Sequence, residues 1–359
     1  MFLLSLKNHF NQNKQIMERK KWIIAIVFLL LATFTNAQPK PIDDKEFFKD
    51  DKIIEVKLAT DIRELLAEKK DLNYVDGTAS LKFQDGTVAS GPVQVKPRGN
   101  FRKNQCRMAS LMINFKNPAS PVFSKLGTLK LVGGCNATAS SEQYLLKEYL
   151  VYKMYNMLTD LSFRVRLIHV NYSDTRDKIK AYDQYAFLIE DVDDLAKRNK
   201  CQEKENTLYS PASMRRDEAT LFFLFQYMIG NTDWSIPYYH NVKLLVDKKD
   251  TLTQPYPIAY DFDICGLVNP PYGTPPPELG IAHLTERLYR GYMRSMEEIE
   301  IAVKPFLEKE ESFYALINNF DLLTPKSKKD MISFLKEFYA DIKSKKELKR
   351  IFVDNAIKN

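Results

Sequence analysis

Between Leu221 and Ile229 the chain reads Leu-Phe-Phe-Leu-Phe-Gln-Tyr-Met-Ile, apolar on every side of any helix it forms. Such a helix is stable only in the middle of a protein, with other elements packed around it. Ser213 before the run and Gly230 after it supply a start and a stop signal. The sequence therefore predicts a buried helix over residues 213–229, central to a helical C-terminal lobe.

The only other long apolar run lies near the N-terminus and has a different character. Met17-Glu-Arg-Lys-Lys21 is followed by the apolar run 22–32 and then by Thr35-Asn-Ala37-Gln38. A charged segment, a short apolar core and small residues at a cleavage point make a secretory signal. The run is shorter than the roughly 20 apolar residues a membrane helix needs. Cleavage is expected after Ala37, with translation starting at Met17, so that residues 1–16 form an upstream extension. The mature chain is then exported, to a periplasmic, cell-envelope or secreted location, with no stable membrane span. The whole chain carries a net charge of +7, but residues 1–37 hold five Lys or Arg and one Glu, which leaves +3. Nucleic-acid binding needs a concentrated cationic surface, and none is expected here. Four cysteines, Cys106, Cys135, Cys201 and Cys265, enter an oxidising compartment, where three pairings are open.

Residues 38–52 read as a polar leader. From 53 to 190 short strand-like stretches dominate, at 53–58, 80–83, 111–115 and 128–132, with turn signals at Asp76-Gly77 and Asp85-Gly86. Ser140 with Gln143 three residues on fits a capping box, and helical apolar spacing runs from there to Leu158. Residues 164–172 and 181–189 alternate cleanly and pair as a hairpin. In 191–359, after the buried helix, come a polar loop over 231–241, a hairpin over 242–260, a Pro-rich loop over 270–277 and an amphipathic helix opened by Thr324-Pro325. Met331, Leu335, Phe338 and Ile342 form the apolar stripe of that helix. The expected class is α+β, a two-lobed arrangement with a sheet-rich N-terminal lobe and a mainly helical C-terminal lobe.

Two groups of residues point to chemistry. Glu148 has Tyr144, Leu145, Val151 and Tyr152 three and four positions away, which puts a carboxylate on an apolar helix face. An ionised group there is costly unless paired; Lys130 on the preceding strand is the expected partner, with Lys116 in reserve. The second group is Asn231, Asp233, His240 and Asn241 after the buried helix, followed one hairpin later by Asp261 and Asp263. Carboxylate and amide oxygens are hard ligands suited to Mg or Mn. No GxSxG elbow, HExxH helix or Walker loop is present.

The order strand Lys, helix Glu, hairpin, connector, buried helix, loop with Asp and Asn, and metal Asp is that of a protein kinase. There are departures: Asp233 and Asn241 lie eight apart, Asp-Phe-Asp stands where DFG is usual, and no GxGxxG precedes the Lys. Arg98-Gly99-Asn100, Ile113-Asn-Phe-Lys116, Leu129-Lys-Leu-Val132, Gly230-Asn-Thr-Asp-Trp234, His240-Asn241 and Ile258-Ala-Tyr-Asp-Phe-Asp263 together resemble the CotH-like (spore-coat) atypical kinases over roughly residues 93–294. The resemblance implies a protein-kinase-like fold, ATP and Mg or Mn as cofactors, and a protein hydroxyl as phosphate acceptor. It implies Asp233 as base or substrate-orienting acid, with Lys130 and Glu148 in the catalytic set. Asn241 and Asp261 are implied as metal ligands, with Asp263 beside them. Arg98, Glu190 and either Lys116 or Lys130 would contact the nucleotide. The alternative is an inactive binding or scaffold protein of the cell envelope.

Overall fold

The computed structural model describes residues 42–358 except 43, 68–72, 100–109, 117–120, 124, 136, 137, 206 and 251. The expected signal peptide, the Met17 start and the segment from Asn100 through Cys106 lie outside the described residues. A short helix α1 (Asp44–Phe47) leads into β1 (Ile54–Thr60), helix α2 (Ile62–Ala67), β2 (Val75–Lys82), β3 (Val88–Arg98), β4 (Ser110–Asn114) and β5 (Thr128–Gly133). Helix α3 (Ala139–Leu158) and the hairpin β6 (Val165–Asp174) and β7 (Tyr182–Ile189) follow. Then come α4 (Val192–Arg198), β8 (Cys201–Glu203), α5 (Arg216–Ile229), β9 (Val242–Asp247) and β10 (Tyr256–Ala259). Helices α6 (Met296–Ala302), α7 (Lys304–Asn318), α8 (Pro325–Lys343) and α9 (Lys345–Lys349) follow, with a π-helical turn over Arg350–Asp354 after them.

The expected two-lobed kinase-like arrangement is corrected by the sheet. Strands β1 to β7 close into a barrel in the order β1-β2-β3-β4-β5-β7-β6, antiparallel except where β1 runs parallel to β6. The later part is not simply helical, because β10, β9 and β8 form a three-stranded sheet of their own. The overall class is α+β. Alternation decides what fills the barrel: Ile54, Val56 and Leu58 of β1, Val93 and Val95 of β3, and Ile168 and Val170 of β6 pack into one apolar interior. Side chains alone fill a barrel of about this size.

Strands β6 and β7 are buried on both faces. Leu167 and Phe187 point away from the barrel interior and join the second core, with α3, α5 and the C-terminal helices. α5 sits at its centre, with Phe222, Phe223, Leu224, Phe225, Met228 and Ile229 almost wholly buried. The ring of Phe225 stacks on Tyr155 of α3 at 4.2 Å between centroids. Gly230 ends α5 in the left-handed region at φ 63°, where glycine carries no steric penalty.

Several local expectations move by a few residues. Thr138, not Ser140, caps α3, accepting from the Ser141 amide at 3.3 Å. Gln143 instead bridges to the chain before α8, donating to the Leu322 carbonyl and accepting from the Thr324 amide. Ser213 lies in a short 3-10 turn before α5, which begins at Arg216 without a side-chain cap. Asp76-Gly77 is no turn: Gly77 lies inside β2 opposite Thr60, where a Cβ would come within 2.7 Å of the Ala59 carbonyl oxygen. Among the described residues no helix is long and apolar enough to cross a membrane.

Candidate functional site

The loop after α5 is built around Asn231. Its side chain donates to Gln226 Oε1 at 3.0 Å and accepts from the Asp233 amide at 2.9 Å, and its carbonyl accepts from the Trp234 indole at 3.1 Å. Ser235 and His240 exchange two backbone hydrogen bonds of 2.9 Å. These close residues 236–239 into a tight excursion and return His240 and Asn241 to Asp233, which accounts for their eight-residue spacing. His240 Nε2 lies 2.7 Å from Asp233 Oδ1, while Asn241 Nδ2 donates to Asp233 Oδ2 at 3.0 Å and to its carbonyl at 2.8 Å.

The β9–β10 register then places the second pair of acids. Val242 faces Ala259, so Asn241 lies beside Tyr260, whose amide donates to the Asn241 carbonyl at 3.1 Å. Asp261 follows at φ 62°, its amide donating to the buried hydroxyl of Tyr152 on α3 at 2.8 Å. Phe262 anchors the segment from below, 4.6 Å from the Tyr152 ring and 5.6 Å from Phe225. Tyr239, Asn241 and Asp261 all adopt left-handed backbone at φ 53°, 54° and 62°. Asn and Asp tolerate that region better than most residues, but Tyr does not.

These segments meet the end of the barrel at an open cleft of about 320 Å³. Arg98 and Gly99 at the end of β3 face Asp233, Asn241, Asp261 and Asp263 across it. Thus five residues expected in the site, from three separate stretches of chain, line one space. Lys130 of β5 stands beside it, its ammonium 5.2 Å from the Tyr260 ring centre and 5.8 Å from that of Phe163. Burial, with help from Arg98 and Lys243, lowers its pKa to about 8, while Asp191 and Asp261 oppose the shift. A lysine depressed in the folded chain leaves the unfolded state binding more protons between pH 8 and its ordinary 10.5. Stability therefore rises with pH through that window. Denaturant midpoints measured across it are expected to climb less in Lys130→Met than in the wild type.

The other expected residues have different surroundings. Lys130 lies against the rings of Tyr260 and Phe163, whereas Glu148 is fully buried on α3 and shares a small cavity with Asp263, Ser141 and Tyr272. Lys116 is exposed beyond the far end of β4, beside Gly127. Six residues of extended chain separate it from Ser110 on the cleft wall, about 20 Å. Glu190 is committed elsewhere, its carboxylate holding Arg198 at 2.8 and 3.0 Å and accepting from the Arg164 amide. Asn231 is a scaffold for the loop.

Arg290 escaped the sequence reading, because nothing around it in the chain marks it. Its guanidinium donates to the carbonyls of Thr232 and Trp234 at 2.8 and 2.9 Å and lies 4.5 Å from the Trp234 ring. Burial lowers its pKa and Asp233 opposes the shift, so this cation braces the Asp233 loop from behind. Together with Tyr238, Pro276 and Leu279 it lines a second groove of about 500 Å³, which also contains Asp233 and His240.

For a divalent cation, the donor set fits in one respect. Asn241 spends its amide nitrogen on Asp233, which fixes the amide orientation, and its Oδ1 accepts no hydrogen bond among the described residues. No three His, Cys, Asp or Glu side chains among the described residues are placed to enclose a metal by themselves. Two carboxylates and an amide oxygen match a Mg-type ion, which keeps waters and shares its shell with substrate phosphates. Cys265 is buried beneath this region, and burial pushes its thiol up to about 12, away from the reactive thiolate form. No protein-family model matches this chain. Nor does any curated protein match it.

Proposed function

We propose that the cleft binds ATP with Mg or Mn and transfers the terminal phosphoryl group to a protein hydroxyl. The observation that carries this reading is the convergence of Arg98, Asp233, Asn241, Asp261 and Asp263 on one cleft, acids and amide facing a cation. Asn241, Asp261 and Asp263 would hold the metal ion, which when bound neutralises phosphate charge. Arg98, with Lys130 behind it, offers cations to the phosphates. Asp233 takes the proton of the acceptor hydroxyl as its oxygen bonds to phosphorus and the diphosphate leaves. Both of its oxygens already accept hydrogen bonds, but a carboxylate has about four lone-pair sites, so capacity remains. The likeness to the CotH-like atypical kinases agrees with this reading in the site residues, though not in overall architecture.

Thermal unfolding of the chain with ATP and Mn tests the binding step. At about 100 times the dissociation constant the pair stabilises the folded state by roughly 2.7 kcal/mol. Asp261→Ala should abolish the shift; a shift that survives in this variant refutes the assigned metal site.

A second reading, a binding or scaffold protein of the cell envelope without chemistry, rests on the closed seven-stranded barrel that stands in place of a kinase-like lobe. Metal-dependent ATP binding without transfer of labelled phosphate would decide for it. We also place the protein outside the cytoplasm. The segment 17–38 has the pattern of an export signal, and the disulfide at Cys135, with Cys201 and Cys265 free thiols, fits an oxidising compartment.

A further inference from the structure

We propose a second ligand site, distinct from the Asp233 cleft: a cationic cavity between Phe48-Lys49, Arg164 and the end of α4 that takes a compact polyphosphate anion. The cavity, about 430 Å³, opens at the mouth of the β6–β7 hairpin, where residues 164 and 190 face each other. That volume falls in the range of small-molecule sites.

The charges on its wall do not cancel. Five cations, Lys49, Arg164, Lys197, Arg198 and Lys200, face two carboxylates, Glu190 and Asp194. Arg198 neutralises Glu190 and spends its other donors on the carbonyls of Asp160 and Ser162. Asp194 is not a free charge either. Lys49 pairs with the exposed Glu46 outside the cavity. Arg164, Lys197 and Lys200 form no ion pair among the described residues. Lys200 is set here by left-handed backbone at φ 58°, an uncommon conformation for a residue other than glycine.

Arg164 is half-buried and lines the cavity together with the exposed Lys197 and Lys200. Arginine suits phosphate oxygens because its planar fork donates two parallel hydrogen bonds, while lysine adds point charge. Phe48 closes one wall with an apolar face, so the ligand is bounded rather than spread over a surface. Several linked phosphates satisfy three separated cations better than one phosphate does.

Calorimetric titration of the full chain with tripolyphosphate, without divalent metal, tests this. Binding is expected in the wild type, weaker by about tenfold or more in Arg164→Gln/Lys200→Gln, as for loss of charge-assisted contacts. Arg98→Gln, which alters only the other cleft, should leave it unchanged. No binding to the wild type overturns the proposal. So does binding that survives the double substitution or is lost with Arg98→Gln. Sulfate binding as tightly as tripolyphosphate also overturns it, since that describes an unselective patch. Tripolyphosphate can also meet Arg98 in the Asp233 cleft, so the double substitution is compared with its parent in the Arg98→Gln background as well as in the wild type.

Discussion

Asp233→Asn is expected to lower phosphoryl transfer by about 10²- to 10⁴-fold, the usual contribution of a positioned general base. The substitution isolates proton acceptance from shape. An Asn side chain can keep its oxygen toward Asn241 Nδ2 and turn its amide to His240 Nε2, preserving the two contacts of 3.0 and 2.7 Å. The loop should therefore hold its form through Asn231 and the Ser235–His240 backbone pair. Transfer of labelled phosphate and the ATP-Mn thermal shift should be measured on the same preparation. Loss of transfer with an intact shift is the expected pair of results. Undiminished transfer would remove Asp233 from the mechanism, leaving the cleft at most a binding site.

Phe262→Ala should cost about 3–5 kcal/mol of folding stability, the range for deleting a buried aromatic ring. Phe262 is fully buried and touches Tyr152, Tyr155 and Phe225, so its loss opens a cavity between α3, α5 and the acidic segment. Its two neighbours in the chain are Asp261 and Asp263, so the same ring sets the height of both carboxylates. Denaturant unfolding should show the destabilisation, and the ATP-Mn shift should shrink in molar excess of ligand even where the variant is folded. A destabilisation below about 1 kcal/mol would mean that the segment is held by backbone contacts instead, such as the Asp261 amide on Tyr152.

The parts of the fold that follow from local rules were legible. The α8 stripe of Met331, Leu335, Phe338 and Ile342 is buried, and Thr324 caps the helix by accepting from the Ser327 amide, with Pro325 at its first turn. The stop at Gly230 and the β6–β7 and β9–β10 hairpins likewise depend on residues close in sequence. The site was legible where a turn or hairpin brings its members together: Asp233 with Asn241 through the 235–240 closure, and Asn241 with Asp261 through the β9–β10 register. Arg98 joined them only through the barrel. Serial order could not place Lys116, which lies beside Gly127 beyond the end of β4, or Glu190, whose carboxylate holds Arg198, because both positions depend on three-dimensional direction. Arg290 was missed because its role is to satisfy carbonyls far away in the chain.

From its residues alone, this protein's helix and strand periods, its turns, its buried α5 and the acids at 233, 261 and 263 as a chemical set could be read. Closure of the barrel could not, because it rests on β1 lying parallel to β6 across more than a hundred intervening residues. Such pairing is decided by how all seven strands twist and share one interior, and no short window of sequence encodes that. The same packing chose which charges meet: Arg98 was brought across the cleft from Asp233 and Asp261, and Glu190 was given to Arg198. An ion pair is made between surfaces brought together by the core, not between neighbours on a string.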